Sequence, residues 1–97
     1  MDYTPLYHPD VLKEDLPKIP SNMKETIRRA IEERLVPYPL LAGKPLCQSL
    51  KGHRKLRVGD YRVIYRIQGR SILILKIGHR REVYTTSFAR IKWAGFR

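Results

Sequence analysis

On either side of Gly59-Asp60 the chain alternates apolar and cationic residues, and few folds accept that pattern. Lys55-Leu-Arg-Val58 leads into the pair, and Tyr61-Arg-Val-Ile-Tyr-Arg-Ile67 leads out of it. A period of two interrupted by Gly-Asp predicts a β-hairpin closed by a two-residue turn. Turn length then fixes register: Val58 faces Tyr61, Arg57 faces Arg62, Leu56 faces Val63 and Lys55 faces Ile64. Paired residues share a sheet face. One face therefore carries Leu56, Val58, Tyr61, Val63 and Tyr65, and the other presents His53, Lys55, Arg57, Arg62 and Arg66.

The rest of the chain supplies what the apolar face needs. Tyr3 to Tyr7 reads as an opening strand, punctuated by His8-Pro9-Asp10. Val11 to Leu16 then reads as a short helix ended by Pro17. Pro20-Ser21-Asn22 is a helix start, with Asn22 as N-cap and Glu25 three residues on. Met23, Ile27, Ala30, Ile31 and Leu35 follow at helical spacing, while Glu25–Arg29, Arg28–Glu32 and Arg29–Glu33 can pair on the opposite side. Pro37 and Pro39 stop this helix, and residues 37–50 read as a connecting loop. Gln68-Gly69-Arg70 makes a second turn into Ser71–Ile77, apolar enough to be covered on both faces. Tyr84, Phe88 and Ile91 suggest a terminal helix. The expectation is a single α+β domain over residues 1–97. It has a small antiparallel meander sheet, an N-terminal helical hairpin on one face and a short C-terminal helix.

Charge gives the polar face its meaning. Residues 1–50 hold seven Lys/Arg against seven Asp/Glu, whereas residues 51–97 hold thirteen against two and supply the whole formal +11. Like charges opposed across strands, as at Arg57 and Arg62, cost a sheet about 0.2–1 kcal/mol. A polar outer face is ordinary on a half-buried hairpin. A face of one sign points instead to an anion, and nucleic acid offers the most charge per unit length. If the third strand pairs regularly, Ile77 and His79 join this face. Arg80 then points away, unless Gly78 hosts a bulge or the strand has already ended.

Other classes fall away. Cys47 is the only cysteine, so no internal disulfide and no cysteine-pair metal site can form. No His/Asp/Glu spacing suggests a metal, and His8 stands apart from the cations. The start lacks the basic and apolar regions of a secretion signal, and Ile72–Leu75 is far too short to span a bilayer. The expectation is a cytoplasmic protein without membrane contact.

Several residues carry ordinary readings beside functional ones. Tyr84 fits equally well as the first core residue of the terminal helix. His79 reads as a structural histidine, Arg81 as a solvated neighbour of Glu82, and Arg54 as a sheet-edge residue, since its register puts it on the apolar side. Lys76 falls on that side too and is expected to reach solvent along its stem.

At Leu50-Lys51-Gly52, Lys55-Leu-Arg-Val-Gly-Asp-Tyr-Arg-Val-Ile-Tyr65 and Gly78-His-Arg-Arg-Glu-Val-Tyr84 the chain resembles the RelE/ParE toxin superfamily, the toxic halves of bacterial type II toxin–antitoxin pairs. The resemblance implies one of two activities. RelE-type members are ribosome-dependent endoribonucleases that cut messenger RNA in the decoding site. ParE-type members share the fold, poison DNA gyrase and generally lack the nuclease residues. The RelE-type positions fall on His53, Lys55, Arg62, Arg80 and Tyr84, with His53 where a lysine is expected. Arg57 lies beside them, and Lys51, Arg66 and His79 are further RNA-binding candidates. A cognate antitoxin, messenger RNA and the ribosome are the implied partners, with no metal and no small-molecule cofactor. A gyrase-directed toxin and a non-catalytic RNA-binding domain remain the alternatives.

Metal-independent RNA cleavage uses the 2′-hydroxyl as nucleophile and leaves a 2′,3′-cyclic phosphate and a 5′-hydroxyl. It needs a base, cations for the charge gathering on phosphorus, and an acid for the leaving oxygen. Arg62 and Arg80 suit the second task, because guanidinium forks hold phosphate oxygens and stay charged. Lys55 can stabilise charge or act as base, and Tyr84 can act as acid or base or stack on a nucleobase. His53 and His79 titrate nearest neutral pH, and either can take an acid or base role.

Overall fold

The Gly59-Asp60 turn forms, with Gly59 at φ 59°, in the left-handed region that favours glycine. The computed structural model describes residues 3–47, 50–87 and 90–91. In chain order these build β1 (Thr4–Tyr7), a helical segment Val11–Asp15 continuing through Leu16–Lys18, and α1 (Ser21–Ala30) extended by a wider turn, Ile31–Leu35. There follow α2 (Pro39–Ala42), β2 (Lys44–Pro45), β3 (Arg54–Val58), β4 (Tyr61–Gln68), β5 (Ser71–His79) and α3 (Val83–Ser87). The five strands form one sheet in the order β1-β5-β4-β3-β2. The expected α+β class and the antiparallel meander β3–β4–β5 are present. The sheet is mixed, however, because β1 joins β5 in parallel.

Hairpin register is as the turn dictates, from Val58↔Tyr61 back to Lys55↔Ile64. The second hairpin departs from regularity. It runs from Gln68↔Ser71 to Tyr65↔Ile74 and then jumps to Ile64↔Lys76, leaving Leu75 as an extra residue on β5. Such a bulge reverses which face every later residue occupies. Ile77 therefore lies opposite Val63 and His79 opposite Tyr61, both on the helix-covered side and not on the cationic face that regular pairing would give. Gly78 lies opposite Arg62, and one further backbone bond runs from the Arg80 N–H to the Asp60 carbonyl at 2.8 Å. Arg80 thereby returns to the Arg62 side. The bulge that the sequence leaves open at Gly78 sits three residues earlier.

Helical spacing places Ile27, Ile31 and Leu35 in the core with Val11 and Ile19, against Leu56, Val58, Val63, Tyr65, Ile72, Ile74 and Ile77 of the sheet. Each such side chain, fully buried, contributes about 1.5–3 kcal/mol. Met23 and Ala30 pack at its margin. On the other face Ile64 and Leu75 are covered by Val83, with Leu46 and Tyr84 packed against them. β5 is thus apolar on both sides because both sides are covered.

Local chemistry corrects several expectations. Asn22 is inside α1 and does not cap it: the helix begins at Ser21 after Pro20, and the Asn22 carbonyl accepts from the Thr26 hydroxyl. Glu25 pairs with Arg28 and, at 3.7 Å, with Arg29, while Arg28 also holds Glu32 at 2.8 Å. Val11–Asp15 ends before Pro17, which sits in the first turn of the short 3₁₀ segment Leu16–Lys18, where a missing N–H costs little. Residues 37–50, read as loop, contain α2 and the edge strand β2. Of the residues expected in a terminal helix, Tyr84 lies in α3 and Phe88 lies outside the described residues.

Candidate nucleic-acid interface

β3 and β4 bring Lys55, Arg57, Arg62 and Arg66 to one face, as their alternation requires. Lys55 is also flanked on its outer side by Lys44, its partner across β2. The cationic side chains do not stand on a bare surface. Tyr84, carried by α3, packs on the Ile64–Leu75–Val83 cluster, and its ring centre lies 5.7 Å from the Lys55 Nζ. The core reading and the site reading of Tyr84 are therefore the same placement: the ring is seated by apolar contact and meets the lysine beside it.

Arg62 and Arg80 converge on the hairpin turn. The Arg62 guanidinium donates to the Gly59 and Tyr61 carbonyls, both at 2.9 Å. Arg80 sits 3.7 Å from the Asp60 carboxylate, with side chains 53% and 70% exposed. An ion pair that open to water is worth about 0–1 kcal/mol, so it does not hold Arg80 away from a phosphate.

Toward the β2 edge the same face hollows into a cleft of about 270 Å³ lined by Arg34, Ala42, Lys44, Lys55, Arg57 and Arg62. Five cations and no carboxylate line it. Arg34 and Lys44 escape sequence reasoning, Arg34 because it lies on the polar side of a helix and Lys44 because prolines surround it.

The remaining candidates lie outside that cleft. His53 is buried at 5% exposure, its Nδ1 without a hydrogen-bond partner, and its backbone ties Leu46 and Leu50. Burial, and secondarily the Arg66 charge, lowers its pKa against the opposing pull of the Leu50 and Lys51 backbone. Lys51 is exposed in the turn before β3. Arg66 reaches Gln68 at 3.2 Å. His79 is on the opposite face, edge-on to Tyr61 with ring centres 5.7 Å apart, and its Nδ1 accepts from the Arg81 N–H at 3.3 Å. Arg54 serves the scaffold, donating to the Leu40 and Gly43 carbonyls at 2.8 and 2.9 Å and so holding the segment that presents Lys44. Lys76 turns inward instead of extending along its stem into solvent: its ammonium lies 3.0 Å from the buried Asp15 carboxylate.

The sheet is mixed, with a helical hairpin on one side and, on the other, a row of cations beside the Ile64–Leu75–Val83 cluster. A profile of the ParE toxin of the type II toxin–antitoxin system parDE matches residues 6–84, and the chain belongs to the RelE/ParE toxin superfamily. It is similar to toxin RelG of Mycobacterium tuberculosis, with 34% identity over 74 residues, spanning 74% of this chain and 85% of that protein. A chain of the M. tuberculosis toxin–antitoxin complex RelBE2 superposes with a TM-score of 0.76 at 32% identity, covering 82% of this chain and 100% of that one. A mutant of Escherichia coli toxin RelE in the free state gives a TM-score of 0.72 at 17% identity, with 94% and 95% of the two chains covered, a likeness of fold. The chain is accordingly a toxin of the type II toxin–antitoxin class.

Proposed function

We propose that this toxin is a ribosome-associated endoribonuclease that cuts messenger RNA by 2′-hydroxyl attack on the adjacent phosphorus. The observation supporting the reading is that Lys55 and Arg62 share one face, with the Arg80 backbone bonded to the turn beside Arg62 and the Tyr84 ring 5.7 Å from the Lys55 Nζ. Arg62 and Arg80 flank the hairpin turn and would clamp the non-bridging oxygens, neutralising charge as it accumulates on phosphorus. Lys55 and Tyr84 stand together and would divide the proton transfers, one taking the 2′-hydroxyl proton and the other protonating the leaving 5′-oxygen. His53 is buried, and that burial lowers its pKa. Its part in this reading is to hold the backbone leading into Lys55.

Two partners follow. The messenger on the ribosome is the substrate, and the toxin works in the cytoplasm. An antitoxin with an acidic segment would cover the cationic face, with association that weakens as salt rises. RelBE2, to which the chain is similar, is itself a toxin–antitoxin complex.

A gyrase-directed activity is the second reading, favoured by the match to the ParE toxin profile. Induced expression in a bacterium separates the two. Messenger cleavage gives new transcript 5′-ends in phase with reading frames, and gyrase poisoning gives DNA-damage signalling with intact transcripts.

A further inference from the structure

β2 is only two residues long and covers β3 at Arg54 and Lys55 alone, so the outer edge of β3 at Arg57 has no strand partner. Arg34 fills that vacancy: its Nη1 donates to the Arg57 carbonyl at 3.3 Å, drawing a cation from the end of the long helix to the sheet edge. Lys44 lies across from Lys55 on the same face, so two like-charged cross-strand pairs, Lys44–Lys55 and Arg57–Arg62, stand side by side. Neither Arg34 nor Lys44 has an ion-pair partner among the described residues.

We propose that Arg34 and Lys44, with Arg57, form a second phosphate subsite that grips the backbone of single-stranded RNA beside Lys55 and Arg62. The inference takes its substrate from the nuclease reading. Only Ala42 is apolar among the lining residues, so the cleft offers no platform for a base and reads backbone charge. An acidic polypeptide would also be attracted by charge. A cleft without apolar anchors suits phosphates better, because peptide docking draws on side-chain pockets as well.

The test is the salt dependence of binding to a short single-stranded oligonucleotide with 2′-O-methyl riboses, which cannot be cut. In Arg34→Gln with Lys44→Gln, the glutamine at position 34 keeps a donor for the Arg57 carbonyl while both charges go. Two lost phosphate contacts make the slope of log affinity against log salt shallower by about 1.4, at about 0.7 per contact on single strands. Lys13→Gln with Lys24→Gln removes the same charge far from this face and leaves the slope unchanged. The loss is the same for oligonucleotides of different base sequence. A wild-type slope in the Arg34/Lys44 variant, an equal loss in the Lys13/Lys24 control, or no binding by the wild-type toxin overturns the subsite. So does a wild-type slope together with lost affinity for poly-glutamate, which would assign the cleft to an acidic polypeptide. If wild-type toxin binds with the expected slopes yet cuts no messenger, the nuclease reading fails and the subsite stands.

Discussion

The Arg90 guanidinium donates two hydrogen bonds to the Asp15 carboxylate, at 2.7 and 3.0 Å, across 75 residues of sequence. Asp15 also accepts from the Ile77 N–H at 2.9 Å, where β1 has ended and the edge of β5 would otherwise lack a partner. Lys76 completes the group at 3.0 Å. The cluster is buried, with Asp15 and Arg90 only 4% and 6% exposed. It joins the first helical segment, β5, which carries Gly78 and leads into Arg80, and Arg90 beyond α3.

Removing Arg90 takes two charge-assisted hydrogen bonds from the buried Asp15 carboxylate and leaves it Lys76 and the Ile77 N–H. Arg90→Ala is expected to destabilise the fold by about 3–5 kcal/mol, the usual cost of breaking a buried pair. Urea titration followed by circular dichroism measures it. A loss under 1 kcal/mol would mean that water reaches the cluster.

The same carboxyl sets an acid limit. Burial pushes the Asp15 pKa up, but Arg90, the Ile77 N–H and Lys76 outweigh it and hold the group below the usual carboxylate range. A depressed native pKa gives stability that is present above the unfolded value, about 3.9, and is lost as pH falls through the lower native value. Asp15→Asn should remove that portion of the acid transition. Parallel acid titrations of the two proteins check it, and identical losses of stability below pH 4 would contradict it.

The cationic face is held against its own repulsion. Arg57→Thr relieves the Arg57–Arg62 opposition and is expected to stabilise the protein by about 0.2–1 kcal/mol. The same change removes a phosphate contact and flattens the salt dependence of oligonucleotide binding by about 0.7. Thermal melting and a salt titration read the two effects. A variant that is both less stable and unchanged in binding would show that Arg57 serves packing.

Gly43 marks a close approach of chain to chain. A β-carbon there would sit 2.6 Å from the Lys55 carbonyl oxygen and against the Tyr65 hydroxyl. Gly43→Ala should therefore cost about 1–3 kcal/mol as overpacking. Tyr65→Phe leaves the Pro39 carbonyl without the buried hydroxyl that donates to it at 2.7 Å, at a cost of about 1–3 kcal/mol. Denaturant midpoints report both, and two silent substitutions would mean that the segment before β2 is not held by Tyr65.

What the sequence reveals follows the range of the interaction involved. The hairpin register is legible because a two-residue turn fixes it locally, and the core face of α1 is legible because its spacing repeats. The side of the sheet that Arg80 and His79 occupy is not, because it depends on where β5 takes up its extra residue. Leu75 bulges in a uniformly apolar run that offers no local mark. Lys44 is hidden by Pro37, Pro39 and Pro45, which signal loop while the sheet edge recruits Lys44 and Pro45 as a strand. Asp15 and Arg90 are each an ordinary surface residue until the fold closes them together. The shared face of Lys55, Arg57 and Arg62 could be read in advance, whereas the place of Arg34 beside it could not, since its contact with the sheet edge arises only in three dimensions.

Cleavage by purified toxin on translating ribosomes is the decisive measurement, with product ends analysed and Arg62→Ala and Arg80→Ala run beside the wild type. The nuclease reading predicts fragments ending in a 2′,3′-cyclic phosphate with 5′-hydroxyl partners, and a fall of about 10²–10³-fold in rate for each arginine removed, as for other groups that stabilise transition-state charge. Full-rate cutting by both variants, or intact messenger beside inhibited gyrase, would contradict it.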